Sequence, residues 1–200
     1  MKLSNAKRDH YRKLAKNEGY RSRSAYKLKQ LNDSYHLFKH GNKVVDLGCA
    51  PGGWLQVLEE EIGNQGKLIG IDQKEVIPLR FATILQGSIE DPCMVEQVKK
   101  ILKGYADIVL SDLSPNVCGI WDIDHARQIS LTRSAFSIVK KLLRKGGSAI
   151  FKVFEGEMLK ELKDDMQKEF KIVHYSKPDA SRRESSELYL ICLNFRGLDV

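Results

Sequence analysis

Lys152 stands in Ser148-Ala149-Ile150-Phe151-Lys152-Val153-Phe154, a run that is apolar apart from that one ammonium. A central strand covered on both faces rarely carries lysine, because removing its charge from water is costly without a partner. The chain offers a carboxylate for it. Ala106-Asp107-Ile108-Val109-Leu110-Ser111-Asp112 is a second, largely apolar run that ends in an acid. If the two runs are neighbouring strands, Asp112 meets Lys152 at their carboxyl edge, and Lys27 and Glu187 can complete an alternating set of charges. Such a set can orient a hydroxyl group or move its proton; it can also be an ion pair that serves stability alone.

A second constellation lies earlier. Val44-Val45-Asp46-Leu47-Gly48-Cys49-Ala50-Pro51-Gly52-Gly53-Trp54 reads as a buried strand, an acid, a small-residue turn and the opening of a helix. Free backbone N–H groups at a helix start and glycines that let a ligand near the main chain suit a nucleoside. Gly48, Gly52 and Gly53 are spaced G-x-x-x-G-G, which is not the dinucleotide fingerprint, and no phosphate-cradling G-x-x-x-x-G-K-[ST] occurs. The next strand, Lys67 to Asp72, also ends in an acid. Asp72 follows Gly53 by 19 residues, the interval at which an acid receives ribose hydroxyls in nucleoside-binding βαβ units.

The elements that must position these groups alternate. A short helix from Ser22, capped by Ser22 or Ser24, buries Ala25, Leu28 and Leu31 and exposes Arg23, Lys27 and Lys29. Helices are expected over Trp54 to Ile62, Cys93 to Leu102, Asp124 to Lys145 (capped by Asp124, ended by Gly146-Gly147) and Gly156 to Lys168. A third strand, Ala82 to Leu85, precedes Gln86-Gly87-Ser88, and two closing strands, Lys171 to Tyr175 and Glu187 to Leu193, flank a polar loop. Leu113 to Asp124, with Pro115, Gly119 and Trp121, is long enough to face a substrate. Strands alternating with helices imply an α/β fold: a mostly parallel sheet with helices on both faces, ligands at the carboxyl ends of the strands, and an antiparallel last strand.

Charge is distributed unevenly. Residues 1–29 hold ten Lys or Arg against two acids, a net of +8, within a chain whose total is +7. This basic segment, interleaved with Tyr11, Tyr20 and Tyr26, offers phosphate contacts and aromatic faces for unstacked bases, and residues 1–20 lack an apolar period, so that part is expected to be partly disordered. One 200-residue domain is expected, an arm over 1–20 and a core over 21–195. No apolar run approaches the ~20 residues of a membrane span, so a cytoplasmic protein is expected. Cys49, Cys93, Cys118 and Cys192 form no pair at zinc spacing, the histidines form no ligand cluster, and no metal is expected.

The turn D-L-G-x-A-P-G-G-W resembles that of S-adenosylmethionine (SAM) methyltransferases with a Rossmann-like fold, and its A-P-G-G-W form resembles the FtsJ/RrmJ group of RNA ribose methyltransferases. That group uses a Lys-Asp-Lys-Glu tetrad. Its motifs are matched by Arg21-Ser22-Arg23-Ser24-Ala25-Tyr26-Lys27-Leu28, Ser111-Asp112-Leu113-Ser114-Pro115-Asn116, Phe151-Lys152-Val153-Phe154 and Arg183-Glu184-Ser185-Ser186-Glu187-Leu188-Tyr189. The resemblance runs from about Tyr20 to Cys192. It implies a seven-strand order 3-2-1-4-5-7-6, Lys27, Asp112, Lys152 and Glu187 as catalytic residues, and Gly48, Gly52, Gly53, Trp54, Asp72, Ser88 and Asp112 around SAM. It further implies methyl transfer to a ribose 2′-hydroxyl, on the large ribosomal subunit or its rRNA, by a monomer. Arg21, Arg23, Lys177, Arg182 and Arg183 are then candidate RNA contacts. One departure stands out: Ser88 occupies the place where the family has an Asp that meets the adenine amino group, a part Glu90 or Asp91 could take over. tRNA and mRNA-cap ribose methylation are the alternatives within the family. A non-catalytic RNA-binding module would explain the basic segment but not the four tetrad positions, and Asn116 after Pro115 lacks the aromatic that base amino methylation requires.

Overall fold

The computed structural model describes residues 3–182 and 184–197, with side chains from His10 onward. The elements run α1 (Leu3–Asn17), α2 (Ser24–Tyr35), β1 (Lys43–Leu47), α3 (Gly53–Ile62), β2 (Lys67–Asp72), β3 (Thr83–Gln86), α4 (Pro92–Leu102), β4 (Ala106–Ser111), α5 (Trp121–Leu142), β5 (Leu143–Phe154), α6 (Leu159–Glu169), β6 (Phe170–Ser176) and β7 (Glu187–Phe195). The seven strands form one sheet in the order β3-β2-β1-β4-β5-β7-β6. The pairs from β3 to β5 are parallel, and β7 runs antiparallel to both β5 and β6.

Period-two alternation divides the core. Val45, Leu47, Val109, Phe151 and Val153 pack under α4, α5 and α6. Val44, Ile108, Leu110, Ile150, Tyr189 and Ile191 pack under α2 and α3. The same parity assigns Asp46, Asp112, Lys152 and Glu187 to the α2 side, so the register alone brings every strand-borne member of the tetrad to the face where Lys27 sits.

Several boundaries differ from expectation. α5 starts at Trp121, and Asp124 reaches back from its first turn to accept hydrogen bonds from the Cys118 and Gly119 amides at 2.7 and 2.9 Å. Gly146-Gly147 does not end that helix; it lies inside β5, where the pairing with β4 jumps from Ala106↔Leu143 to Ile108↔Ser148. Neither serine caps α2, because the Ser22 and Ser24 hydroxyls bond each other at 2.6 Å. Cys49 and Cys192 are buried, whereas Cys93 and Cys118 are exposed.

The basic segment departs furthest. In place of a disordered stretch, Leu3–Asn17 is helical, and Ala15, Tyr11, Leu14, Tyr20, Tyr26 and Ala180 form a small cluster of their own. The Tyr11 and Tyr20 rings pack on Tyr26 at 5.5 and 5.7 Å. Gln30 ties the parts together: its amide donates to the Tyr11 hydroxyl and its carbonyl accepts from the Ala180 amide, both at 2.9 Å. The three tyrosines therefore pack on one another, Tyr26 buried and Tyr11 and Tyr20 half-buried, and burial of their rings helps to order the helix.

Candidate active site

Lys152 is 7% exposed and its Nζ donates to the Asp112 carbonyl at 2.6 Å, with Asp112 Oδ1 at 3.2 Å. Lys27, expected on the exposed side of α2, is instead 7% exposed and forms a hydrogen-bonded ion pair with Glu187. Its stem lies among Ala25, Leu28 and Leu31 on the packed side of the helix, which is affordable for an ammonium only because Glu187 meets it. The four groups expected from the sequence thus come together on one face of the sheet.

Between the two pairs stands Tyr189, which the sequence reading passed over. It is fully buried, lies opposite Lys152 across the β5–β7 ladder, and places its hydroxyl 3.0 Å from Glu187 Oε1 and 3.3 Å from Asp112 Oδ1. The signal was available: Glu187 and Tyr189 are two apart on one strand, hence on one face. The environments drive the two carboxyls apart. Burial raises the Asp112 pKa above the ordinary range despite the opposing Lys152 and Lys27 charges. Burial also pushes Glu187 upward, but the charge and hydrogen bond of Lys27, with help from Lys152 and Tyr189, bring it below its usual value. Burial beside both acids holds the Tyr189 phenol far above its normal value.

Asp112 also belongs to a cleft of about 580 Å³ at the carboxyl ends of β1, β2 and β4, walled by Gly48, Ala50, Ile71, Asp72, Ser88, Glu90, Leu113 and residues of α5. Asp72 accepts the Ala50 amide at 2.9 Å and the Lys74 amide at 2.8 Å, one on each oxygen, which leaves further lone pairs for a ligand. Asp91 is committed elsewhere, capping α4 through the Cys93 amide at 2.9 Å. Glu90 is therefore the acid that remains beside Ser88 at the cleft. Asp46, 1% exposed, has no hydrogen-bond partner among the described residues for either oxygen, and its burial near Asp112 and Asp72 raises its pKa well above normal.

Gly52, Gly53 and Trp54 do not line this cleft. An added Cβ on Gly52 would lie 2.6 Å from Arg21 Nη1, and one on Gly53 would overlap Ser22 Oγ. Trp54 donates from its indole to the Ser24 carbonyl at 2.9 Å. The start of α2 packs against this end of the loop. Arg21 has the matching role: its guanidinium donates to the carbonyls of Pro51, Ile77 and Pro78 at 3.3, 2.7 and 3.0 Å.

Arg21 and Arg23 join Arg12, Lys16 and Arg182 around a pocket of about 450 Å³ between α1, the start of α2 and the β6–β7 loop. Lys177 lies apart from it and donates to the Ser185 carbonyl at 2.8 Å. Arg183 falls outside the described residues. Among the described residues no cluster could hold a metal ion, and no helix is long and apolar enough to cross a membrane.

Comparison with known proteins gives this geometry a family. The chain is 50% identical over 197 residues to ribosomal RNA large subunit methyltransferase E of Nitrosopumilus maritimus, covering 98% of this chain and all of that one. It is 49% identical over 189 residues to the protein of that name from Methanothrix thermoacetophila, covering 94% of this chain and 73% of the relative. A Plasmodium falciparum structure solved as a ribosomal RNA methyltransferase superposes with a TM-score of 0.82 at 34% identity, covering 89% of this chain and all of that one. Fibrillarin from a complex with Nop5p shares the fold alone, with a TM-score of 0.61 at 16% identity over 84% of this chain and 81% of its own. The family model matches residues 20–195, and the chain belongs to the FtsJ-like methyltransferases.

Proposed function

We propose that this enzyme transfers the methyl group of SAM to a ribose 2′-hydroxyl of large-subunit ribosomal RNA, most consistently a uridine, acting as a monomer in the cytoplasm. The observation that carries the reading is the double membership of Asp112, which walls the cleft and at the same time contacts Lys152. Methyl donor and acceptor hydroxyl would meet there. The relatives' names supply the ribosomal substrate and the family supplies the 2′-hydroxyl.

The cleft suits SAM on its own chemistry. Its volume lies in the range of small-ligand sites. Asp72 keeps lone pairs for ribose hydroxyls, Ile71, Ile89, Leu113 and Leu131 offer apolar wall, and Ser88 and Glu90 stand at one side. Asp72 and Glu90 in the cleft wall favour a ligand with net positive charge. When bound, SAM supplies an activated methyl group on a sulfonium; the chain has to align an in-line attack and handle one proton.

Lys152 is the group aimed at that proton and oxygen. Two of its N–H directions are taken by Asp112, which leaves a third for the incoming hydroxyl. As an ammonium it orients the oxygen lone pair and offsets developing charge; in its neutral form it accepts the proton. Lys27, Glu187 and Tyr189 hold Asp112 and the Lys152 environment in register. The arginines around the α1–α2 pocket, with Arg182 on the facing loop, would contact phosphates, while Arg21 acts chiefly by fixing the glycine loop against α2.

Lys152→Ala should fold and bind SAM but lose roughly 10²- to 10⁴-fold in single-turnover methylation of unmodified large-subunit rRNA. Lys152→Arg separates the two roles, since guanidinium stays protonated. No activity at any accessible pH identifies a base, and partial activity identifies a charge. Near-normal turnover by Lys152→Ala would overturn the assignment.

A further inference from the structure

A ribose 2′-hydroxyl delivered to Lys152 carries its base with it, and a base drawn out of its stack needs an aromatic face to lie on. The tyrosines of the basic segment are largely committed to one another: Tyr26 is buried, and the half-buried rings of Tyr11 and Tyr20 pack on it. At the start of α5 the chain does something unusual with apolar residues. Of the nine large hydrophobic side chains exposed among the described residues, Val117 (65%), Ile120 (57%), Trp121 (47%) and Ile123 (41%) fall within one short stretch at the start of α5, and Met158 (42%) is tied to that helix through His125, whereas Ile77, Tyr105, Ile172 and Tyr175 lie elsewhere in the sequence. An exposed apolar cluster on a protein so rich in charge marks an interaction site.

The cluster is built to be held still. Trp121 stacks on His125 at 6.0 Å with 21° between planes and on Phe154 at 6.1 Å with 28°. The loop before it is pinned from α5: Asp124 accepts the Cys118 and Gly119 amides, Arg127 donates to the Asn116 carbonyl at 3.2 Å, and Gln128 donates to the Leu113 carbonyl at 3.3 Å. The Met158 amide donates to His125 Nε2 at 3.3 Å and closes the far side. Phe154, the residue on which Trp121 rests, is two positions beyond Lys152 and pairs with Glu187 across the ladder. The patch is thus continuous with the tetrad.

We propose that Trp121, backed by His125 and Phe154 and flanked by Ile120 and Met158, is a stacking platform for an unstacked nucleobase of the RNA strand at or beside the target nucleotide. The proposal rests on the RNA methylation reading above and adds a specificity site to it. Asp122, Glu155 and Glu157 lie beside the patch in sequence, so the platform contributes stacking, and attraction for phosphate comes from the basic pocket between α1 and the start of α2. A side chain that holds one base by stacking changes affinity by about 5- to 140-fold on truncation.

The test uses the whole chain. Trp121→Ala should raise the half-saturating concentration of unmodified large-subunit rRNA in single-turnover methylation by that factor and leave SAM affinity unchanged. Trp121→Phe, which keeps a ring, should recover most of it. Fluorescence supplies a reading without chemistry, since the chain has two tryptophans and Trp54 is buried. A uridine-rich oligonucleotide should quench the wild-type emission and leave that of Trp121→Phe unchanged. Should Trp121→Ala fail to bind SAM, this comparison still decides. Wild-type rRNA saturation in Trp121→Ala, or equal quenching in both proteins, overturns the proposal. So does a defect confined to the assembled subunit with naked rRNA methylated normally, which would mark a protein contact. Failure of the wild-type chain to methylate any rRNA is read separately and counts against the function.

Discussion

Replacing Lys27 by methionine removes an ammonium and keeps the length of its stem. The partner left behind, Glu187, has a side chain only 17% exposed, and its nearest remaining donor is the Tyr189 hydroxyl at 3.0 Å. Breaking a buried pair from one side costs about 3–5 kcal/mol. Glu187 keeps some solvent, lies near Lys152 and can take up a proton, so the lower value of about 2–3 kcal/mol is the expected loss, roughly 4–12 °C in Tm for a chain of this size. The double variant Lys27→Met/Glu187→Leu removes both charges and should regain most of that stability, because an apolar pair of similar volume is about neutral in place of a buried ion pair. It should not regain methyl transfer. Thermal and urea denaturation of the two single variants and the double one complete the cycle, with SAM binding as the control for the cleft. Loss below about 0.5 kcal/mol in Lys27→Met, or a double variant as unstable as the sum of the singles, would refute the coupling.

The same pair sets a pH signature. Glu187 has a folded pKa below its ordinary 4.5, so its contribution is present above that value and fades as pH falls through the folded one. The Tm difference between wild type and Glu187→Gln should therefore shrink on acidification below about pH 4.5, and a constant difference would refute the pairing. Gly53→Ala should cost about 1–3 kcal/mol by pushing Ser22 and the start of α2 outward, and Ser22→Ala on the same chain should recover part of it; an unaffected single variant would show that the contact yields freely. Deleting residues 1–19 takes Arg12 and Lys16 from the basic pocket, so RNA should bind more weakly, with a salt slope smaller by up to ~0.7 per lost phosphate contact and unchanged SAM affinity. Equal affinity and slope would reduce α1 to a solvated helix.

What could be read from residues alone follows a physical pattern. Asp112 and Lys152 were legible because each is a polar exception in an apolar run, and a fold that buries both runs has to resolve the two exceptions together. The order of the strands was not legible from periodicity; it came with the resemblance. α1 escaped because its packed residues, Tyr11, Leu14 and Ala15, answer to Ala180 at the other end of the chain rather than to a local period. Tyr189 passed for core, which its burial makes it, although its hydroxyl lies between the two acids. Trp121 could be placed on a loop facing the substrate, but only packing on His125 and Phe154 shows its ring held toward solvent.

The glycine loop shows where such reading stops. A glycine in a sequence states that something comes close to the backbone, not what. Gly48 does border the cleft, whereas the neighbours of Gly52 and Gly53 are Arg21 and Ser22, six and five residues ahead of Lys27. Arg21 locks that contact through three carbonyls, and Trp54 locks it again through Ser24. The tight end of the loop therefore serves the tetrad as well as the ligand: Gly53 lets Ser22 and the start of α2 come into the space a Cβ would take, and α2 set there carries the Lys27 ammonium to Glu187.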